Sequence, residues 1–185
     1  SHLTKKLLSN NYCIIGIDNL NNYYLLKLKK DRLKNLIGQN KNFKFYKIDI
    51  LDKNLLNRLF KENNFNYVIH LAAQAGVRYS VTNPDKYIQN NIEGFQNLLD
   101  NVKNYNSIQK VIYASSSSVY GLSKKTPFKE NFRIQKPANI YAISKITNEL
   151  MAYDFCQKYG KQLIGLRFFT VYGPWGRPDM AYYKF

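Results

Sequence analysis

The sequence predicts an α/β fold built on a doubly wound parallel sheet, and three observations carry that reading. Short β-rich apolar runs alternate with segments of helical period almost from end to end, the pattern that successive βαβ units impose. Most of those runs are continuously apolar, as expected of strands buried on both faces. The 185 residues, 45% hydrophobic and 22% charged, suffice for one sizeable core and are too few for two comfortable domains. The expected unit is a single, partial Rossmann-like domain over residues 1–185.

Each element follows from its pattern. His2–Asn10 has apolar residues at helical spacing and no strand before it, so it reads as the later part of an amphipathic helix. Strands are expected at Tyr12–Asp18, Phe43–Ile48, Tyr67–Leu71, Lys110–Ser115 and Gln162–Phe168. Helices are expected at Leu25–Ile37, Asp52–Asn63, Pro84–Tyr105 and Ile140–Tyr159. Pro84 suits a first helical turn, where no backbone N–H is needed. Leu122–Ala138 is a longer polar connection. Read alone, Asp18 is a turn residue opening the loop Asn19–Asn22. In a Rossmann unit, however, an acidic strand end follows a glycine-rich turn by about 20 residues, which places that turn before Ser1. The chain is therefore expected to lack its central strand and to leave Tyr12–Asp18 with an unpaired apolar edge.

Bulk properties exclude several classes. No stretch approaches the roughly 18 consecutive apolar residues of a membrane helix, and Ser1–Asn10 lacks the plan of a secretory signal, so no membrane association and a cytoplasmic location are expected. Cys13 and Cys156 form no C-x-x-C, and His2 and His70 stand alone, so neither a disulfide framework nor a metal site is expected. The net charge of +16 points toward anionic partners. Its lysines are spread through helices (Lys27, Lys29, Lys30, Lys34, Lys53, Lys61) among many Asn, Ile and Tyr, a mixture that reads as codon bias. No nucleic-acid-binding motif accompanies them, so no nucleic-acid partner is expected.

Three segments carry a resemblance. The first is Leu71-Ala72-Ala73-Gln74-Ala75-Gly76-Val77-Arg78-Tyr79-Ser80, where small residues after a strand admit a ligand close to the backbone. The second is Tyr113-Ala114-Ser115-Ser116-Ser117-Ser118-Val119-Tyr120-Gly121, followed downstream by Tyr141-Ala142-Ile143-Ser144-Lys145. The third runs Leu166-Arg167-Phe168-Phe169-Thr170-Val171-Tyr172-Gly173-Pro174-Trp175-Gly176-Arg177-Pro178-Asp179. Together they resemble the extended short-chain dehydrogenase/reductase family and its NAD-dependent epimerase/dehydratase members, and the third is most like the UDP-glucuronate 4-epimerase branch. A Tyr-x-x-x-Lys pair alone is weak; its position after a strand ending in a serine run makes it specific. The family begins with a Gly-rich loop and continues into a smaller substrate domain, so the resemblance implies truncation at both ends. Without that loop the chain alone is expected to bind NAD poorly and to be inactive.

Tyr141 and Lys145 are four apart and share a helix face, a geometry suited to proton transfer. The resemblance implies that Tyr141 is the general base. It would take the proton of the sugar 4-hydroxyl as C4 gives a hydride to NAD, and return it after the 4-keto sugar has turned over. Lys145 would hold the cofactor ribose and favour the phenolate, and Ser116 or Ser118 would bond the reacting oxygen. NAD is expected over NADP because Asp18 would accept both ribose hydroxyls and repel a 2′-phosphate. The implied cofactor set adds Asn19, Asp49, Ile50, Leu71, Ala72, Ala73, Gln74, Asn90, Phe168 and Val171. A strand-end cap remains open for Asp49.

Arg177 is expected to read a sugar carboxylate with its guanidinium fork, helped by Thr170, Ser117 and Ser118. Arg78 lies in the loop over the nicotinamide side and either fixes the UDP-sugar or is simply solvated. A homodimeric parent enzyme is expected. UDP-glucose 4-epimerases, 4,6-dehydratases and nucleotide-sugar decarboxylases share the Tyr-Lys pair. The last two place carboxylates in the serine run, where Ser115–Ser118 has none. A binding-only member of the fold is the alternative from a different class.

Overall fold

A computed structural model describes residues 1–123, 125–132, 136–180 and 183. The chain divides into two compact units, Ser1–Asp49 with Thr170–Phe185, and Ile50–Phe169.

In the first unit, α1 (His2–Ser9) packs on β1 (Ile14–Ile17), which pairs in parallel with β2 (Phe43–Tyr46), Ile14 opposite Phe43. Between them, α2 (Leu26–Asp31) runs without a break into a π-helical turn, Arg32–Ile37. A side chain at Gly16 would meet the Phe43 ring at 3.1 Å, so the glycine lets that ring lie across β1. Among the described residues β1 pairs with β2 alone.

The second unit carries α3 (Lys53–Glu62), β3 (Tyr67–His70), α4 (Val77–Thr82), α5 (Pro84–Tyr87), α6 (Gly94–Val102), β4 (Lys110–Ser116), α7 (Ile140–Tyr159) and β5 (Gln162–Phe168). Its sheet is parallel, in the order β3-β4-β5, with Tyr67 opposite Lys110 and Lys110 opposite Gln162. Such connections require helical crossovers, which α4–α6 and α7 supply. Leu56, Tyr87, Phe95, Leu99, Val102, Val111 and Val119 are almost wholly buried and form the core.

The α/β class and parallel strands are as the sequence predicts; several details differ. Among the described residues the strands form two hydrogen-bonded ladders, of two and three strands. Only β4, flanked on both edges, is mostly buried; β2 alternates, and β5 leaves Leu166 and Phe168 exposed. Pro84–Tyr105 is not one regular helix, because a π-helical turn at Ile88–Glu93 separates α5 from α6. That wider turn keeps Tyr87, Asn91 and Phe95, four apart, all buried on one side. Arg78 lies on the short helix α4, where a loop was expected. Part of Leu122–Ala138 falls outside the described residues.

Candidate active site

Helix α7 places the Tyr-Lys pair. Its start is fixed by Asn139, whose Oδ1 accepts from the Ala142 N–H at 2.9 Å, and its end by Gly160 in the left-handed conformation (φ 61°). Lys145 is 3% exposed, and its Nζ donates to the carbonyl of Ala114 in β4 at 2.8 Å. This tethers the ammonium where β4 enters the serine run, with two further donors on Nζ. Burial lowers the Lys145 pKa to about 8, so it remains cationic at neutral pH. Nearby His70 is held neutral: burial, then the Lys145 charge, lowers its pKa to about 3. Tyr141, one turn before Lys145, is half-buried and meets the Tyr87 ring edge-on at 6.0 Å.

The serine run divides by role. Ser116 accepts from the Ser118 N–H at 3.2 Å and so caps the 3₁₀ turn Ser117–Tyr120. Ser117 and Ser118 are half-buried, and their hydroxyls make no hydrogen bond among the described residues. Ser115 is committed elsewhere, donating to Glu149 Oε1 at 2.6 Å. Ser115–Ser118 contains no carboxylate, but the fold brings Glu149 to it from two turns beyond Tyr141 on α7. Arg167 of β5 holds Glu149 through two hydrogen bonds, Nε to Oε1 at 2.9 Å and Nη2 to Oε2 at 2.8 Å. The Arg167 guanidinium also lies over the Tyr120 ring at 4.9 Å. Held this way, both Glu149 oxygens already accept hydrogen bonds. A charged residue within the otherwise apolar β5 was the sequence signal for such a pair.

The segment after β3 is fixed by a buried polar network. Asn91 accepts from the Gln74 N–H at 2.7 Å and donates to Gln74 O at 3.1 Å and Ser144 Oγ at 2.9 Å. Ser144 Oγ donates to Tyr141 O at 2.8 Å, and Asn148 donates to Asn91 O at 2.7 Å. The network thus joins Gln74 to the helix bearing Tyr141 and Lys145. Leu71, Ala72 and Ala73 lie exposed at the end of β3, a surface of small side chains that a flat ligand can approach. Asn90, the expected ligand residue, bonds its own helix instead (Nδ2 to Lys86 O, 2.8 Å); Asn91 is the one turned inward. Arg78 is exposed, and Ile50 is buried with its Cγ2 against Gly94. Phe168 stands opposite Ser116 at the end of β5, 40% exposed.

In the other unit, Asp18 Oδ1 accepts from the Leu20 N–H at 2.7 Å and lies 3.6 Å from Lys29 Nζ. Asp18 is an exposed turn residue, and its Oδ2 has no partner among the described residues. Asn19 donates to Asp49 Oδ2 at 2.9 Å, joining the ends of β1 and β2. Thr170 and Val171 are exposed. Arg177 is half-buried, with Nε 3.1 Å from Asp179 Oδ1. No metal-binding cluster occurs among the described residues, and none of their helices is long and apolar enough to cross a membrane.

Residues 1–184 match the profile of the NAD dependent epimerase/dehydratase family. The chain belongs to that family. Over the whole chain it is 50% identical to Protein CapI of Staphylococcus aureus, covering 54% of that protein. It is 48% identical to UDP-glucuronate 4-epimerase 4 of Arabidopsis thaliana, covering 42% of it. A crystal structure of UDP-glucuronic acid 4-epimerase from Bacillus cereus, in complex with UDP-glucuronic acid and NAD, matches with TM-score 0.89 and 35% identity over 98% of this chain and 56% of that one. The chain thus spans about half the length of these family members. Tyr141, Lys145 and Glu149 all stand on α7, and Arg167 of β5 completes the clamp on Glu149.

Proposed function

We propose that the full-length protein carrying this chain is an NAD-dependent epimerase that inverts C4 of a UDP-uronic acid, interconverting UDP-glucuronate and UDP-galacturonate. The observation that carries the reading is Lys145, buried and tethered to Ala114 one turn beyond Tyr141, beside serine hydroxyls that have no partner among the described residues. Residues 1–185 would be its dinucleotide-binding part. The residues present fit such a cofactor: small exposed side chains at Leu71–Ala73, spare donors on Lys145, and an open carboxylate oxygen on Asp18. The cofactor set further includes Asn19, Asp49, Ile50, Gln74, Asn90, Phe168 and Val171. When bound, NAD supplies reversible acceptance of a hydride from C4.

The protein's own part is proton transfer and orientation. Tyr141 takes the proton of the 4-hydroxyl as the alcohol becomes a ketone, and returns it when the alcohol re-forms with the opposite configuration. Lys145, one turn beyond Tyr141, holds the cofactor ribose with the donors its bond to Ala114 leaves over. Ser118, with Ser116 and Ser117, holds the reacting oxygen, while Arg177, Thr170 and Arg78 fix the sugar and its carboxylate. Glu149 does not support elimination or decarboxylation, because Arg167 and Ser115 occupy both its oxygens.

The remaining features fit this reading. Ile143, Leu150 and Tyr153, 42%, 61% and 68% exposed, form one apolar face of α7 suited to a homodimer. Both cysteines are free, as suits a reducing cytoplasm.

The test is turnover of UDP-glucuronate and UDP-glucose by the full-length protein, with products identified by mass spectrometry, beside Tyr141→Phe. UDP-galacturonate should form, UDP-glucose should react at least tenfold more slowly, and Tyr141→Phe should lose about a thousandfold in kcat while still binding NAD. Equal use of both sugars, or a pentose as main product, would exclude the uronate assignment.

A further inference from the structure

Arg177 is more constrained than an arginine in a connecting segment needs to be. Besides the ion pair from Nε to Asp179 Oδ1 at 3.1 Å, its guanidinium lies over the Tyr23 ring at 5.9 Å. The Tyr23 hydroxyl donates to Asp179 Oδ2 at 3.2 Å. One residue therefore supplies both the face under the guanidinium and the bond that holds its counter-ion. The backbone leading to Arg177 is gripped as well. Arg32 donates to Trp175 O from Nε at 3.0 Å and from Nη2 at 2.6 Å, and its guanidinium lies over the Tyr24 ring at 5.2 Å. Trp175 itself has φ 63°, a left-handed conformation that a bulky residue keeps only where its surroundings impose it.

We propose that Asp179 and Tyr23 are positioning residues that preset Arg177 for the carboxylate of a uronic-acid sugar, an inference that rests on the substrate reading above. Asp179 engages Nε, and Nη1 has no partner among the described residues, so a donor is left for an incoming carboxylate. Because Arg177 and Asp179 neutralise each other, selectivity comes from the orientation of the fork rather than from net positive charge. The opposite view, in which Asp179 competes with substrate for Arg177, predicts the opposite effect of its removal.

The experiment measures kcat/KM for UDP-glucuronate and UDP-glucose on full-length wild type, Asp179→Asn, Asp179→Glu, Tyr23→Phe and the Tyr23→Phe/Asp179→Asn double variant. Asp179→Asn should lower the uronate-to-glucose ratio about tenfold, mainly by raising KM for the uronate, and Asp179→Glu should restore part of it. Tyr23→Phe should lower the ratio about threefold, and the double variant should match Asp179→Asn, since Tyr23 acts through Asp179. A ratio unchanged or raised in Asp179→Asn, with wild type preferring the uronate, overturns the positioning role alone. A wild type without uronate preference overturns the substrate reading and this inference with it.

Discussion

The two units are held together by different physics. Ile50–Phe169 has a dense core in which Leu56, Tyr87, Phe95, Val102 and Val119 are fully buried. In Ser1–Asp49 with Thr170–Phe185, only Leu8 and Ile48 are buried among the described apolar side chains. That unit relies on polar ties instead: Asn19 to Asp49, Lys29 to Asn21 and Arg32 to Trp175. The proposed proton-transfer groups stand on the apolar core, where packing admits few alternatives. Arg177, the proposed carboxylate reader, stands instead on directional polar ties to Asp179 and over the Tyr23 ring. Packing thus fixes the groups proposed to pass a proton over a short distance, and directional polar ties fix the one proposed to face an anion.

The largest test of this contrast is truncation of one buried side chain in each unit. Phe95→Ala removes a fully buried ring that packs on both His70 and Tyr113. It should cost about 3–5 kcal/mol in urea unfolding of the full-length protein. Leu8→Ala, at a thinly packed site, should cost about 2 kcal/mol or less. Equal losses would mean that the first unit is held by packing after all.

A smaller effect is expected at the Glu149–Arg167 clamp, the polar tie of the core unit. Both side chains are largely covered, at 15% and 17% exposure. Glu149→Gln leaves a largely covered guanidinium without its counter-ion, which should destabilise by about 2 kcal/mol, less than for a fully buried pair. Glu149→Leu with Arg167→Leu should recover part of that loss. Additive losses in this double-mutant cycle would show that the two residues act independently.

Periodicity and capping made the helices and strands legible, and α7 has the bounds its pattern predicts because Asn139 and Gly160 mark its ends. The Tyr141–Lys145 pair was legible because helical spacing puts both on one face and a strand ending in serines precedes them. Pairings between distant elements were not. Nothing local says that Glu149 meets Ser115 and Arg167, or that Tyr23 meets Asp179, since those contacts arise only when strands and connections are assembled. Nor was it legible that Asn91 turns into the core while its neighbour Asn90 bonds its own helix, since this follows from the π-helical turn. Glycine spacing likewise could not show that a side chain at Gly165 would strike the Tyr113 ring, at 2.6 Å from its Cζ.

The smallest effect is expected from pH, and it belongs to the packed unit. His70 closes β3, is 9% exposed and stacks on Phe95 at 5.4 Å. Burial first, then the Lys145 charge, lowers its pKa from 6.5 to about 3. The unfolded chain therefore binds a proton below about pH 6.5 that the folded chain refuses until about pH 3. His70 thus contributes full stability above pH 6.5 and loses it progressively as pH falls through that window. By pH 5 the loss should be at most about 2 kcal/mol. His70→Phe retains a ring on Phe95 and cannot titrate, so its stability should be flatter between pH 7 and pH 5. Hydrogen exchange would locate the effect: β3 and α6 should lose protection first in wild type and keep it in the variant. An equally steep decline in His70→Phe would place the acid sensitivity elsewhere, and loss of protection beginning in β1 and β2 would place it in the polar unit.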